Sequence, residues 1–164
     1  MYRVFHNFCG VPVQTEAPCP MKEDAQAALF RTEQTAPRLL LSLESREELP
    51  EPAGQLCASA GEKSTWRDGR TILRQTKDRF RRNPHITVQY DLDDLTVVKA
   101  LVRQEDWVWA TGTKYLWAGV ALNQLLLHFR TLFFHASYAA WQGQGILFTA
   151  PSQTGKSTQA ELWR

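Results

Sequence analysis

Residues Ala150-Pro151-Ser152-Gln153-Thr154-Gly155-Lys156-Ser157 run in the order small residue, four variable residues, Gly, Lys, Ser. That order has a chemical logic. A polyphosphate is held by backbone N–H groups that converge on it, and a glycine-containing loop turns them inward without Cβ clashes. A helix that begins at the same point adds unpaired N–H groups and the positive end of its dipole. In such a phosphate-binding loop Lys156 reaches the β- and γ-phosphates and the Ser157 hydroxyl ligates Mg2+, while Gly155 keeps the chain compact where it enters the helix. The expected ligand is a nucleoside triphosphate, ATP with Mg2+, held by residues 150–158, with Thr158 in the first helical turn.

The flanking elements suit this role. Ile146-Leu147-Phe148 reads as a buried strand entering the loop, and Lys156 to Arg164 has a helical composition with no breaker. Before them, Phe133 to Trp141 and Gly145 to Thr149 read as two strands joined by the turn Gln142-Gly143-Gln144. Between Tyr115 and Phe129, apolar residues Leu116, Val120, Leu122, Leu126 and Phe129 recur at three- and four-residue spacing. Trp117, Ala121 and Leu125 widen that face, which predicts one helix buried between layers, with His128 as a packed or capping residue on it.

The segment from Phe133-Phe134-His135-Ala136-Ser137 through Gly145–Ser152 to Gly155-Lys156-Ser157-Thr158 resembles the nucleotide-binding core of the HPr kinase and phosphoenolpyruvate carboxykinase group. The resemblance covers residues 112–164. It implies a core of helix, β-hairpin, phosphate loop and helix, and a kinase-like transferase. The complete form of such an enzyme moves phosphate from ATP to a hydroxyl, for example a serine on a protein or peptide substrate. It also implies that His135 belongs to the active site and polarises or positions a phosphate. The residue-level alternative for His135 is a hydrogen-bonded histidine in a buried strand.

Two positions depart from that group. Ala150 and Gln153 stand where its members commonly carry glycine, so Gln153 must adopt a backbone angle that glycine takes freely. The group's metal-binding and catalytic acids follow the loop at a distance greater than the residues remaining before Arg164. The chain therefore reads as the front part of a kinase, expected to bind rather than to catalyse. Asp91, Asp93 and Asp94 are the clustered Asp residues, and they fall in a turn. A reading from another class is a non-enzymatic β-rich binding or scaffold module with a degenerate loop.

The first 110 residues predict an antiparallel β-rich region, making the whole an α+β protein with a boundary between 110 and 111. A hairpin is expected in 1–16, a short helix or a connection in 17–36, a strand in Pro37–Glu44 and a loop in Glu47–Gly61. Asp68-Gly69 predicts a tight turn between Lys63–Arg67 and Arg70–Lys77. Ile86–Tyr90 and Thr96–Val102 predict further strands, and Trp107 and Trp109 alternate like strand residues turned to one side. The strand at Ile146–Thr149 has an open edge, through which copies are expected to associate.

Composition narrows the class. Hydrophobic residues make up 43% and charged residues 22%, which is globular. A net charge of +2 does not call for a nucleic-acid partner, and the run Arg74, Lys77, Arg79, Arg81, Arg82 reads as a solvated turn. The apolar stretch Leu116–Phe134 is interrupted by Asn123, Gln124, His128 and Arg130, which argues against a membrane partner, since one charge near a span's centre costs about 3 kcal/mol. Three irregularly spaced cysteines, Cys9, Cys19 and Cys57, suit a reducing compartment, so a cytoplasmic location is expected.

Overall fold

The computed structural model describes residues 1–77 and 83–163. It divides the chain into two compact units, Met1–Thr131 and Leu132–Arg164.

The first unit is built on an eight-stranded sheet. Strands β1 (Tyr2–Phe8) and β2 (Val11–Ala17) form the expected hairpin, turning through Cys9 and Gly10, which both have positive φ. A four-residue helix, α1 (Ala25–Ala28), interrupts the connection to β3 (Leu39–Arg46). An antiparallel meander follows: β4 (Gln55–Ala60), β5 (Lys63–Asp68), β6 (Thr71–Lys77), β7 (Pro84–Asp91) and β8 (Val97–Arg103). The order across the sheet is β1-β2-β3-β8-β7-β6-β5-β4, with β3 parallel to both β2 and β8. The fold is thus α+β, with a sheet that is mostly antiparallel.

Period-two patterning sets which face is covered. Val11 and Val13 on β2, Leu39, Leu41 and Leu43 on β3, and Val98, Ala100 and Val102 on β8 are all buried. Ile86 and Val88 of β7 extend the same core. Helical segments close it: a 3-10 turn over Gln104–Asp106, α2 (Trp107–Ala110), α3 (Thr113–Gly119), α4 (Leu122–Leu125) and a 3-10 turn over Leu126–Phe129. Leu116, Val120, Leu122, Leu125 and Leu126 pack into this core. A fully buried leucine of this kind stabilises the fold by about 1.5–3 kcal/mol.

Several expectations are corrected. The single helix over Tyr115–Phe129 is broken at Ala121, which sits in the left-handed region at φ 51°, ψ 49°. Geometry requires the break. A straight helix advances about 100° per residue and would put Leu125 on the face opposite Leu116, yet both are buried in one core. Trp107 and Trp109 lie on α2, not on a strand. The loop expected over Glu47–Gly61 contains β4, whose six residues are all exposed and which pairs with β5 alone. A strand held by hydrogen bonds without burial leaves no alternation to read. Because residues 113–129 pack on the first sheet, the division between units falls after Thr131 instead of after 110. Arg79, Arg81 and Arg82 lie outside the described residues. Among the described residues no helix is long and apolar enough to cross a membrane.

Candidate phosphate-binding loop

The second unit is a hairpin and a helix with a loop between them. Strands β9 (Ala136–Trp141) and β10 (Gln144–Thr149) pair antiparallel, with Ala136 opposite Thr149 and Ser137 opposite Phe148. The two-residue turn Gln142-Gly143 has positive φ at both positions, 49° and 74°, matching the right-handed twist of the strands. Helix α5 (Lys156–Leu162) packs on the face that carries Ser137, Ala139, Ile146 and Phe148. Ala139 and Ala160 are buried, and Phe148 meets Trp163 edge to face at 5.9 Å.

Residues 150–155 connect the end of β10 to the start of α5. Gln153 and Gly155 both have positive φ, 66° and 83°, with Thr154 between them at negative φ. Left-handed residues of this kind recur in loops whose N–H groups converge on an anion. The Lys156 ammonium folds back over the loop and donates to the carbonyls of Ala150 and Pro151, each at 2.9 Å. Thr154 Oγ1 donates to Pro151 O at 2.8 Å, so one carbonyl receives both side chains. The first helical hydrogen bond runs from Gln159 N to Gly155 O at 2.9 Å. The N–H groups of Lys156, Ser157 and Thr158 belong to the first turn, where a helix supplies no acceptor. A cavity of about 390 Å³ is lined by Thr149, Ala150, Thr154, Gly155, Lys156 and Gln159, together with Leu147 and Phe148.

The structure brings some of the expected residues together and leaves others apart. Ala150, Pro151, Thr154, Gly155 and Lys156 form one hydrogen-bonded loop, with Ser152 and Gln153 exposed at its tip and Thr158 exposed on α5. Ser157 Oγ lies 3.5 Å from Ser137 Oγ, a hydroxyl that local sequence did not single out. Only the pairing of β9 with β10 and the packing of α5 bring Ser137 there. His135 is exposed and precedes β9, which removes the reading of a histidine inside a buried strand. The register that pairs Ala136 with Thr149 puts His135 at the same end of the hairpin as Ala150.

The clustered carboxylates belong to the first unit and are already engaged. Asp91 Oδ1 accepts from Asp93 N at 2.8 Å and from Arg70 Nη2 at 3.2 Å, and Asp93 pairs with Arg70 Nε at 2.9 Å. The Asp93 amide and then Arg70 hold the Asp91 carboxyl below its usual range; Thr96, through its hydroxyl and its amide, does the same for Asp94. Among the described residues no group of three His, Cys, Asp or Glu side chains is arranged to hold a metal ion. Comparison of the chain with family models, with curated proteins and with solved structures finds no match.

Proposed function

We propose that residues 150–158 bind a nucleoside triphosphate, ATP with Mg2+, and that the second unit corresponds to the front of a phosphoenolpyruvate carboxykinase-like core. The observation that supports this is the loop itself, with left-handed Gln153 and Gly155 and an ammonium already folded over it. The partners of Lys156 are neutral carbonyls. A phosphate would offer it charge-assisted hydrogen bonds, roughly twice as strong as neutral ones. Ser157 is the residue expected to ligate Mg2+, with the Ser137 hydroxyl beside it. The metal would neutralise phosphate charge.

In the complete form implied by the resemblance, the phosphoryl acceptor is a hydroxyl, such as a serine on a protein or peptide. His135, exposed at the Ala150 end of the hairpin, is the residue to position a phosphate there. Phosphoryl transfer also needs a group to orient or deprotonate the nucleophile. Asp91, Asp93 and Asp94 are committed to Arg70 and to their own turn, so the activity we propose for these 164 residues is binding.

One observation favours the second reading, a β-rich binding module with an inert loop. The described residues that line the cavity at the loop include no Asp or Glu to hold Mg2+ beside Ser157. Calorimetric titration of Mg-ATP into the protein and into Lys156→Ala separates the two. A hydrogen bond to a charged group is worth about 1.5–3 kcal/mol, so the variant should bind about tenfold to a hundredfold more weakly. Equal affinities, or no heat of binding to either protein, would leave the second reading standing.

A further inference from the structure

Arg74 lies on β6 with its side chain on the face turned toward the helices, in register with Val88 of β7. That face is otherwise largely apolar near the sheet centre, yet it holds Arg74, whose side chain is partly buried at Nε and exposed at Nη2. Among the described residues its hydrogen-bond partners are neutral oxygens: Nη2 donates to Gln124 Oε1 at 2.6 Å and Nε to Thr65 Oγ1 at 3.4 Å. The guanidinium opens into a cavity of about 460 Å³ between the sheet and the broken helix, and the described residues that line it include no Asp or Glu.

The other polar groups at this cavity are Tyr90, Gln124 and His128, and its apolar wall includes Val120, Leu125 and Leu127. Burial pushes the Tyr90 phenol up against the opposing pull of Arg74, so at neutral pH it is a protonated hydroxyl able to donate. Left-handed Ala121 also lines the space, and the bend at this residue carries α4 past the ends of Arg74 and Tyr90. A planar five-donor fork, a phenol and an imidazole around an apolar recess match the head and body of an organic acid. The volume is within the range of small-ligand sites.

We infer that this pocket is an oxyanion site for a small organic acid, a carboxylate or phosphate ester with an apolar body, in which Arg74 is the principal anion contact. The inference is independent of the phosphate loop, which belongs to the other unit. Gln124 keeps the guanidinium oriented until a charged oxygen replaces or joins its carbonyl.

The test uses the full chain carrying Lys156→Ala, so that phosphate binding at the loop does not interfere. Benzoate, phenyl phosphate and neutral benzyl alcohol are titrated separately and followed by amide chemical shifts. At least one anion should shift the amides of Tyr90 and Gln124, with benzyl alcohol binding at least tenfold more weakly. Preference for benzoate identifies the carboxylate class, and preference for phenyl phosphate the phosphate-ester class. Arg74→Met should weaken the preferred anion at least tenfold, and Tyr90→Phe severalfold. Circular dichroism checks that both variants fold, and Arg74→Lys, which keeps the charge but loses the fork, serves if Arg74→Met does not. Equal binding of benzyl alcohol, unchanged anion affinity in the folded Arg74 variants, or no shift with either anion at millimolar concentration would overturn the assignment.

Discussion

At Gln153 a side chain is carried where glycine would cost nothing, and the consequence can be weighed. Left-handed geometry costs a non-glycine about 1–2 kcal/mol, whereas glycine forfeits about 0.4–1 kcal/mol through the freedom it gains when unfolded. Gln153→Gly should therefore stabilise the second unit slightly and leave Mg-ATP affinity unchanged or tighter. Gly155→Ala should act in the opposite direction. A Cβ there meets no atom within 4 Å, so the cost of about 1–2 kcal/mol comes from φ 83° alone and is partly offset by the reduced freedom of the unfolded chain, for a net loss of about 1 kcal/mol. Thermal denaturation of the two variants checks the opposed signs. His6 supports a prediction of another kind. It is buried, with Nε2 3.0 Å from Glu23 Oε1, and burial holds its pKa below the ordinary 6.5 despite that carboxylate. The fold thus favours the neutral ring, while the unfolded chain takes up a proton near 6.5. The contribution is complete above 6.5 and is lost as pH falls from there through the lower folded value. Urea midpoints should drop across that window, and His6→Gln should flatten the drop.

Elements differ in how openly their residues announce them. Strands β2, β3 and β8 alternate buried and open positions, so their sequences already show the period. Strand β4 does not, because its position depends on the backbone of β5 and on Gly54, not on burial. At Gly54 the chain has φ 88°, and a Cβ would stand 2.2 Å from the Arg67 carbonyl oxygen. Gly54→Ala should cost about 2 kcal/mol or more through combined strain and overlap, read as a lower denaturation midpoint with early loss of β4 protection in hydrogen exchange. The helix over 115–129 was legible as apolar but not as broken, because a segment apolar on every side gives no sign of where its faces must be re-aimed. The loop at 150–157 was legible as a strand-to-helix connection for the opposite reason: glycine, lysine and serine stand next to one another in the chain. Ser137 and Arg74 were not, since their neighbours Ser157 and Gln124 come from distant segments.

On the scale of the whole molecule, the two units have unequal resources. The first buries a continuous core beneath its sheet. The second has a two-stranded sheet with both outer edges unpaired among the described residues, and Phe134, Tyr138, Leu147 and Leu162 are exposed on it. Isolated hairpins are marginal, and open edges with apolar neighbours favour pairing between chains. Sedimentation velocity should show association that rises with concentration and is reduced by Leu147→Lys, while a concentration-independent monomer would contradict it. The position of β3 carries a different consequence, one of timing. By joining residue 40 to residue 97, it keeps one edge of β3 unpaired until the arrival of a strand that leaves the ribosome much later. Closing so long a loop is an entropic barrier that local contacts cannot lower. Until β8 emerges, the leucines of β3 have no neighbour on that side, and the nascent chain is at its most vulnerable to wrong pairing during that interval.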